Sequence, residues 1–269
     1  MLSNTSRFLT YLVALLSGLV GALLFFSPEQ LAPAFAWKVT AFMTMSIGAW
    51  CLGNAWLAYF AASRWHWGRV YPALIYLWAF GVGQSLVVYL FRAKLVLVHP
   101  VAWLYVVVLI VIVFAALAGV LSWWRSRPSR ESSGPHTSSI QFLLLVGFIL
   151  AVGYLGWYGV TAHLGAPGTN GGIFPEIMSL FTLRSFGVFY LALVAGATPL
   201  LLDRNLKPFL NYGFLAYGLI IFITSAAFAY IRLFDFTVRP GGMLYIGAYM
   251  AVGIAFLLFF RKHGTGASE

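Results

Sequence analysis

The chain has 269 residues, 62% of them hydrophobic and 8% charged, with a formal net charge of +10. So few charges cannot clothe a water-soluble domain, so the chain belongs in a membrane. Its Lys and Arg residues are scattered through short segments without an aromatic-basic reading surface, which excludes nucleic acid as a partner and favours anionic lipid head groups.

Eight apolar stretches are long enough to cross a bilayer, near residues 8–26, 36–61, 71–91, 101–124, 140–162, 181–202, 209–231 and 241–260. About 20 helical residues span the hydrocarbon layer, and a helix satisfies its own backbone hydrogen bonds there. Runs such as Val106 to Ala118 lack the alternation a barrel strand needs. The expected fold class is an all-α integral membrane protein with eight transmembrane helices arranged as two parallel four-helix repeats.

The first segment follows Arg7 and precedes Ala34-Phe35-Ala36, an imitation of a cleaved signal peptide. Its apolar run is too long for that, and its counterpart at 140–162 lies mid-chain, so it is expected to stay as the first helix. Pro28 and Glu29 follow it, and Lys38 opens the second segment. That segment holds the only cysteine, Cys51, a single thiol that can form neither an internal disulfide nor a Cys-based metal site. The third segment carries Gln84 and Ser85 at mid-depth and ends at Arg92. Pro100 opens the fourth, at the position where proline costs a helix little.

Arg125, Arg127 and Arg130 then mark a polar linker rich in Ser and Pro. This divides the chain into a first four-helix unit (1–124), a basic cytoplasmic linker (125–139) and a second four-helix unit (140–269). Beyond the fifth segment, residues 163–176 form a glycine-rich loop ending in Pro175-Glu176, and Arg184 stands near the start of the sixth. Thr224 and Ser225 lie in the seventh segment, which ends at Arg232.

The two halves repeat each other. Phe91-Arg92, His99-Pro100 and Leu104-Tyr105 recur as Ile231-Arg232, Arg239-Pro240 and Leu244-Tyr245, each 140 residues on (232 − 92). Pro28-Glu29 recurs as Pro175-Glu176, and Lys38 is matched with Arg184. Fixed-offset similarity indicates duplicated architecture. Four crossings per unit make the copies parallel rather than inverted. With the linker in the cytoplasm, both termini are cytoplasmic, and ten Lys or Arg fall inside against six outside.

Six residues are candidates for an outer-leaflet site binding an anion or lipid head group: Lys38, Arg92, Arg184, Arg232, Glu29 and Glu176. Arginine grips phosphate or carboxylate with two hydrogen bonds, and a helix N-terminus adds positive potential. The competing reading is structural, with Glu–Arg pairs pinning loops and basic side chains snorkelling to the interface. Gln84 with Thr224 and Ser85 with Ser225 either hold helices together or line a narrow path.

No Asp, Glu, His, Lys or Arg lies at mid-depth in any segment, which argues against ion-coupled transport. No histidine lies in a helix core, so neither haem ligation nor a buried metal centre is expected. Catalytic motifs are absent, and no cofactor is expected.

Pro28 and Pro175, the stretches Lys38-Val-Thr-Ala-Phe-Met-Thr-Met-Ser-Ile-Gly48 and Arg184-Ser-Phe-Gly187, and Arg92 and Arg232 closing the third helix of each unit form a pattern. On these residues the chain resembles the DoxX-like group of small bacterial membrane proteins, here as a tandem pair covering both halves. Lys38 stands where the group leads one to expect arginine. The resemblance implies a four-helix unit more than a reaction.

Three functions follow as expectations. One is a non-enzymatic accessory or assembly subunit of a cytoplasmic-membrane complex, packing against lipids and other subunits. The second is binding or passive transport of an amphipathic anion or lipid at the outer leaflet. The third is an interfacial lipid- or quinone-modifying enzyme with Glu29 or Glu176 as acid–base.

Overall fold

Capping residues set where the helices begin. In a computed structural model, which describes residues 2–129, 135–162, 175–176 and 178–264, eight long helices run α1 (Asn4–Phe26), α2 (Ala41–Ser63), α3 (Trp67–Leu90), α4 (Pro100–Ser126), α5 (Ser139–Thr161), α6 (Leu180–Ala197), α7 (Leu206–Ala229) and α8 (Gly241–His263). Ser3, Thr40, Ser138, Ser179 and Asn205 each accept a backbone N–H of the helix they open, satisfying a donor that has no partner within it. At Ser138 the bond is reciprocated, because the Gln141 side chain accepts the Ser138 N–H at 2.8 Å. Short helical turns at Arg92–Lys94 and Ile231–Leu233 follow α3 and α7.

Seven spans among the described residues are long and apolar enough to cross a membrane: α1, α3, α4, α5, α7, α8, and α6 continued through Asp203. The chain is therefore a multi-pass, all-helical membrane protein. The exception is α2, which carries Thr44, Ser46, Gly48, Gly53 and Asn54, all buried. Its 23 residues include 15 buried ones, so it meets protein rather than lipid along most of its surface. An interior helix needs small residues for close approach more than it needs lipid-facing bulk.

The helices share two ends. At one, Arg7 Nε donates to Ala62 O at 2.8 Å, Ser3 N donates to Ser122 Oγ at 2.7 Å, and Thr137 N donates to Arg204 O at 2.8 Å. This is the terminal face. At the other, the loop face, Val96 N donates to Ala36 O at 2.8 Å, and Trp37 stacks on Phe181 with ring centres 4.2 Å apart. α2 runs between these faces like its neighbours.

Packing is uneven. α1 lies along α2 and α4, α3 lies on α4 and α6, α2 on α7, and α5 on α6. α8 packs mainly on α7, and no substantial contact joins it to α5. One hydrophobic core runs through both halves of the chain. α1 belongs to that core through residues such as Val13, Val20 and Leu24.

The part of the polar linker that is described does not run free: residues 135–137 pair with 204–206 through a short antiparallel bridge. Arg130 and residues 163–174 lie outside the described residues.

Close approach of α5 and α6 depends on two glycines. A Cβ at Gly159 would stand 2.4 Å from the Gly187 Cα, and one at Gly187 would stand 2.7 Å from the Gly159 carbonyl carbon. Gly187→Val is expected to lower stability by about 1–3 kcal/mol through overpacking. Gly153→Ala, whose added carbon meets only Val194 at 3.8 Å, should leave it nearly unchanged. Thermal unfolding of both variants in nanodiscs checks this.

Candidate functional site

The candidate residues of the loop face are placed by different elements and do not form one cluster. Arg184 lies on α6 a turn inside the helix, five residues after its cap Ser179, whereas Lys38 lies two residues before the cap Thr40. They therefore do not occupy matching positions. The caps align Gly187 with Gly48 instead, one offset of 139 (187 − 48, 179 − 40).

Arg184 is committed to structure. Its Nη1 donates to Gly159 O and its Nη2 to Ala162 O, both at 2.7 Å. These are carbonyls at the C-terminus of α5, where helical partners run out and negative potential gathers. The Gly159–Gly187 contact brings the guanidinium within reach. Arg92 folds back onto Tyr89, with Nη1 3.2 Å from its carbonyl oxygen and the guanidinium 4.8 Å from its ring. Lys38 and Arg232 are exposed, and their side chains have no hydrogen-bond partner among the described residues.

The two carboxylates share an electrostatic neighbour. Glu176 accepts a hydrogen bond from Thr40 Oγ1, so the acid of the second half rests on the cap of α2 in the first. Burial pushes the Tyr230 phenol above its ordinary value, and Glu29 and Glu176 push it further. Both acids thus lie within electrostatic range of Tyr230 at the end of α7. Arg239, matched in sequence with His99, donates to Pro175 O and holds the backbone beside Glu176. No ion pair joins any two of the six candidates among the described residues.

Interior polar groups act as ties. Tyr76 OH donates to Asn54 Oδ1 at 2.6 Å, linking α3 to α2, and Gln84 Nε2 donates to Ser185 O at 2.7 Å, linking α3 to α6. Ser225 is exposed and bonds back to Ile221 O, so the pairs Gln84–Thr224 and Ser85–Ser225 do not meet along one path. Near the terminal face, Tyr71 OH donates to Asp203 Oδ2 at 2.5 Å. Arg64 Nη1 donates to Asn211 Oδ1 at 2.9 Å, and Asn211 Nδ2 to Arg69 O at 2.8 Å. Among the described residues no group of three His, Cys, Asp or Glu could hold a metal ion.

Sequence reading had no signal for a slot in the second half. A cavity of about 330 Å³ lies between α5, α6, α7 and α8. Its walls are almost wholly apolar, from Leu143, Gly147 and Leu155 on α5 to Tyr245, Val252 and Phe259 on α8. The stretch from Leu143 to Leu155 covers about 18 Å along the helix axis, and that from Tyr245 to Phe259 about 21 Å. The slot follows the seam where α5 and α8 fail to close on each other. On the first half, α1 and α4 are in contact at the corresponding place.

Comparison with models of known families, with curated proteins and with solved structures finds no match.

Two outcomes test the loop-face assignments. Arg184→Ala should destabilise the protein by about 2 kcal/mol by freeing two carbonyls from a charged donor. Arg184→Lys should recover less than half, since an ammonium cannot reproduce the two-pronged geometry; chemical denaturation in micelles measures both. For the carboxylates, Glu29→Gln with Glu176→Gln should lower the Tyr230 ionisation midpoint towards, but not to, the ordinary value, because burial persists. Carbon-13 tyrosine NMR against pH reads that shift.

Proposed function

We propose that the protein is a non-enzymatic component of a bacterial-type cytoplasmic membrane that retains a lipid hydrocarbon chain in its second half. The slot between α5 and α8 carries this reading. About 20 Å long and about 330 Å³ in volume, it is elongated like an extended hydrocarbon chain. Almost wholly apolar walls offer a chain dispersion contacts.

The wider reading has two parallel four-helix units, 1–124 and 140–269, with α2 as an eighth crossing, both termini cytoplasmic and a basic linker between. Several features support it. The turns at Arg92–Lys94 and Ile231–Leu233, the prolines Pro100 and Pro240, and the caps Thr40 and Ser179 stand at offsets of 139–140. Exchanging α1–α4 with α5–α8 turns the α3–α6 contact into the α7–α2 contact, and both are extensive. The same exchange relates Tyr71 to Asn211, each tying its helix to the end of the other half's second helix. Repetition of a DoxX-like unit accounts for this pattern. The open α5–α8 seam is then the place where the copies differ.

A second reading, an accessory subunit bound to a protein partner, draws on α8, whose outward face is bare while its inward face rests mainly on α7. The outer-leaflet anion site expected from the sequence is a weaker proposal, because Arg184 and Arg92 are engaged within the protein. An outer-face enzyme would have to use Glu29 and Glu176 beside Tyr230.

Native mass spectrometry of detergent-extracted protein tests the slot. A Cβ at Gly147, which lines the slot, meets nothing within 4 Å, and neither does one at Gly247, which does not line it. Wild type and Gly247→Leu should carry a lipid that Gly147→Leu lacks. Bare wild type, or lipid retained equally by Gly147→Leu, overturns the reading. A protein chain held in place of lipid moves the weight to the accessory subunit.

A further inference from the structure

The slot ends at the terminal face among basic residues. Leu200 lines the slot, and Arg204 lies one turn beyond it, with its guanidinium 4.3 Å from the ring of Phe142. Phe142 adjoins Leu143, another lining residue. On α8, Lys262 follows Phe259 by three residues and Ala255 by seven, so it shares the face that lines the slot. Lys207 precedes the lining residue Phe209 by two, and Arg261 adds a further positive charge to the last turn of α8. The neighbouring acid, Asp203, turns towards Tyr71 on α3 and accepts its hydroxyl at 2.5 Å.

The loop-face end differs. There the slot stops at Tyr245 and Tyr249, with Tyr249 OH 3.3 Å from Tyr190 OH on α6. The basic side chain that α6 brings to this end, Arg184, gives both Nη atoms to Gly159 O and Ala162 O, so its charge is engaged within the protein. Among the described residues, exposed basic side chains close in sequence to the lining therefore gather at the terminal face, where Arg204, Arg261 and Lys262 stand.

From this polarity we infer that the slot selects an anionic lipid bearing a phosphate. Its chain lies between α5 and α8, and its phosphate sits between Arg204 and Lys262 at the terminal face. This rests on the chain-binding reading above and adds the head-group chemistry and its leaflet. Arg204 is exposed and can turn its fork to two phosphate oxygens while its stem stays on Phe142, and Lys262 supplies a point charge across the opening. Lys207 and Arg261 strengthen the local potential.

The shared chemistry is a phosphate ester on a long hydrocarbon chain, whether glycerophospholipid or polyprenyl phosphate. The lipid mass in wild type as isolated separates these two. For selectivity, the protein is stripped of lipid and offered equal amounts of phosphatidylglycerol and phosphatidylcholine with the same acyl chains. Bound lipid is counted by native mass spectrometry. Wild type should favour the anionic lipid by about tenfold, the scale set by one to two basic residues near a charged head group. Arg204→Gln with Lys262→Gln should erase the preference while lipid still binds, and Gly147→Leu should bind neither. Excess inorganic phosphate should not displace the lipid, because the chain anchors it; displacement would mean a free-phosphate site and would overturn the inference. Equal binding of both lipids by wild type sinks the anionic inference and leaves the chain slot standing. If wild type binds neither, the slot reading fails first.

Discussion

Hydrocarbon offers no hydrogen bonds, so a chain that crosses it must satisfy each polar group from within. The helices do this for their own backbones, and several interior side chains are held by partners on other helices. Asn54, Gln84, Asn211 and Tyr212 each make such a bond, to a side chain or a backbone carbonyl. The interhelical ties fix which helices can be neighbours. Tyr71 and Asn211, near the terminal face, reach across to the ends of α6 and α2, so the two halves are tied to one another and not merely joined by a linker. With those ties made, α3 is committed to α6 and α2 to α7.

The same constraint explains what happened to the basic residues. An arginine in the first turns of a membrane helix must find oxygen, and Arg184 finds it at the C-terminal end of α5. Two glycines make the reach short enough, so the Gly159–Gly187 contact and the Arg184 bonds form one device. A charge that looks poised for a ligand in the sequence is consumed by a helix terminus in the fold. Lys38 and Arg232 make no such bond among the described residues and stay exposed.

Helical character, apolar length and the end positions of the charges were legible in the sequence, because each follows from composition and spacing. Pro100 with Pro240 and Arg92 with Arg232 were legible as recurring pairs for the same reason, whereas the turns after α3 and α7 were not. The pairing of Lys38 with Arg184 failed, since loop lengths before α2 and α6 differ and spacing across an unequal loop cannot set register; the caps Thr40 and Ser179 can. α2 illustrates the opposite limit. Segment 36–61 was counted among the crossings on length and composition, yet its buried Gly, Ser, Thr and Asn residues leave α2 outside the seven spans that are apolar enough by themselves. The slot was invisible for a further reason: it depends on a contact that one seam makes and another lacks.

That difference between seams is where function has room to enter. A four-helix unit whose outer helices close on each other, as α1 and α4 do, has spent its internal surface on itself. When α5 and α8 stand apart, the apolar surface they expose must be covered, and in a bilayer the nearest material is an acyl chain. Small residues maintain the gap: Gly147, Ala151, Ala248, Ala251 and Ala255 line it, where larger side chains would fill it. A lipid lying there would act as a packing element of the second half, replacing the contact that the first half makes with protein. Its removal should then loosen α8 before any other helix, because α8 has α7 as its main neighbour and little else to hold it.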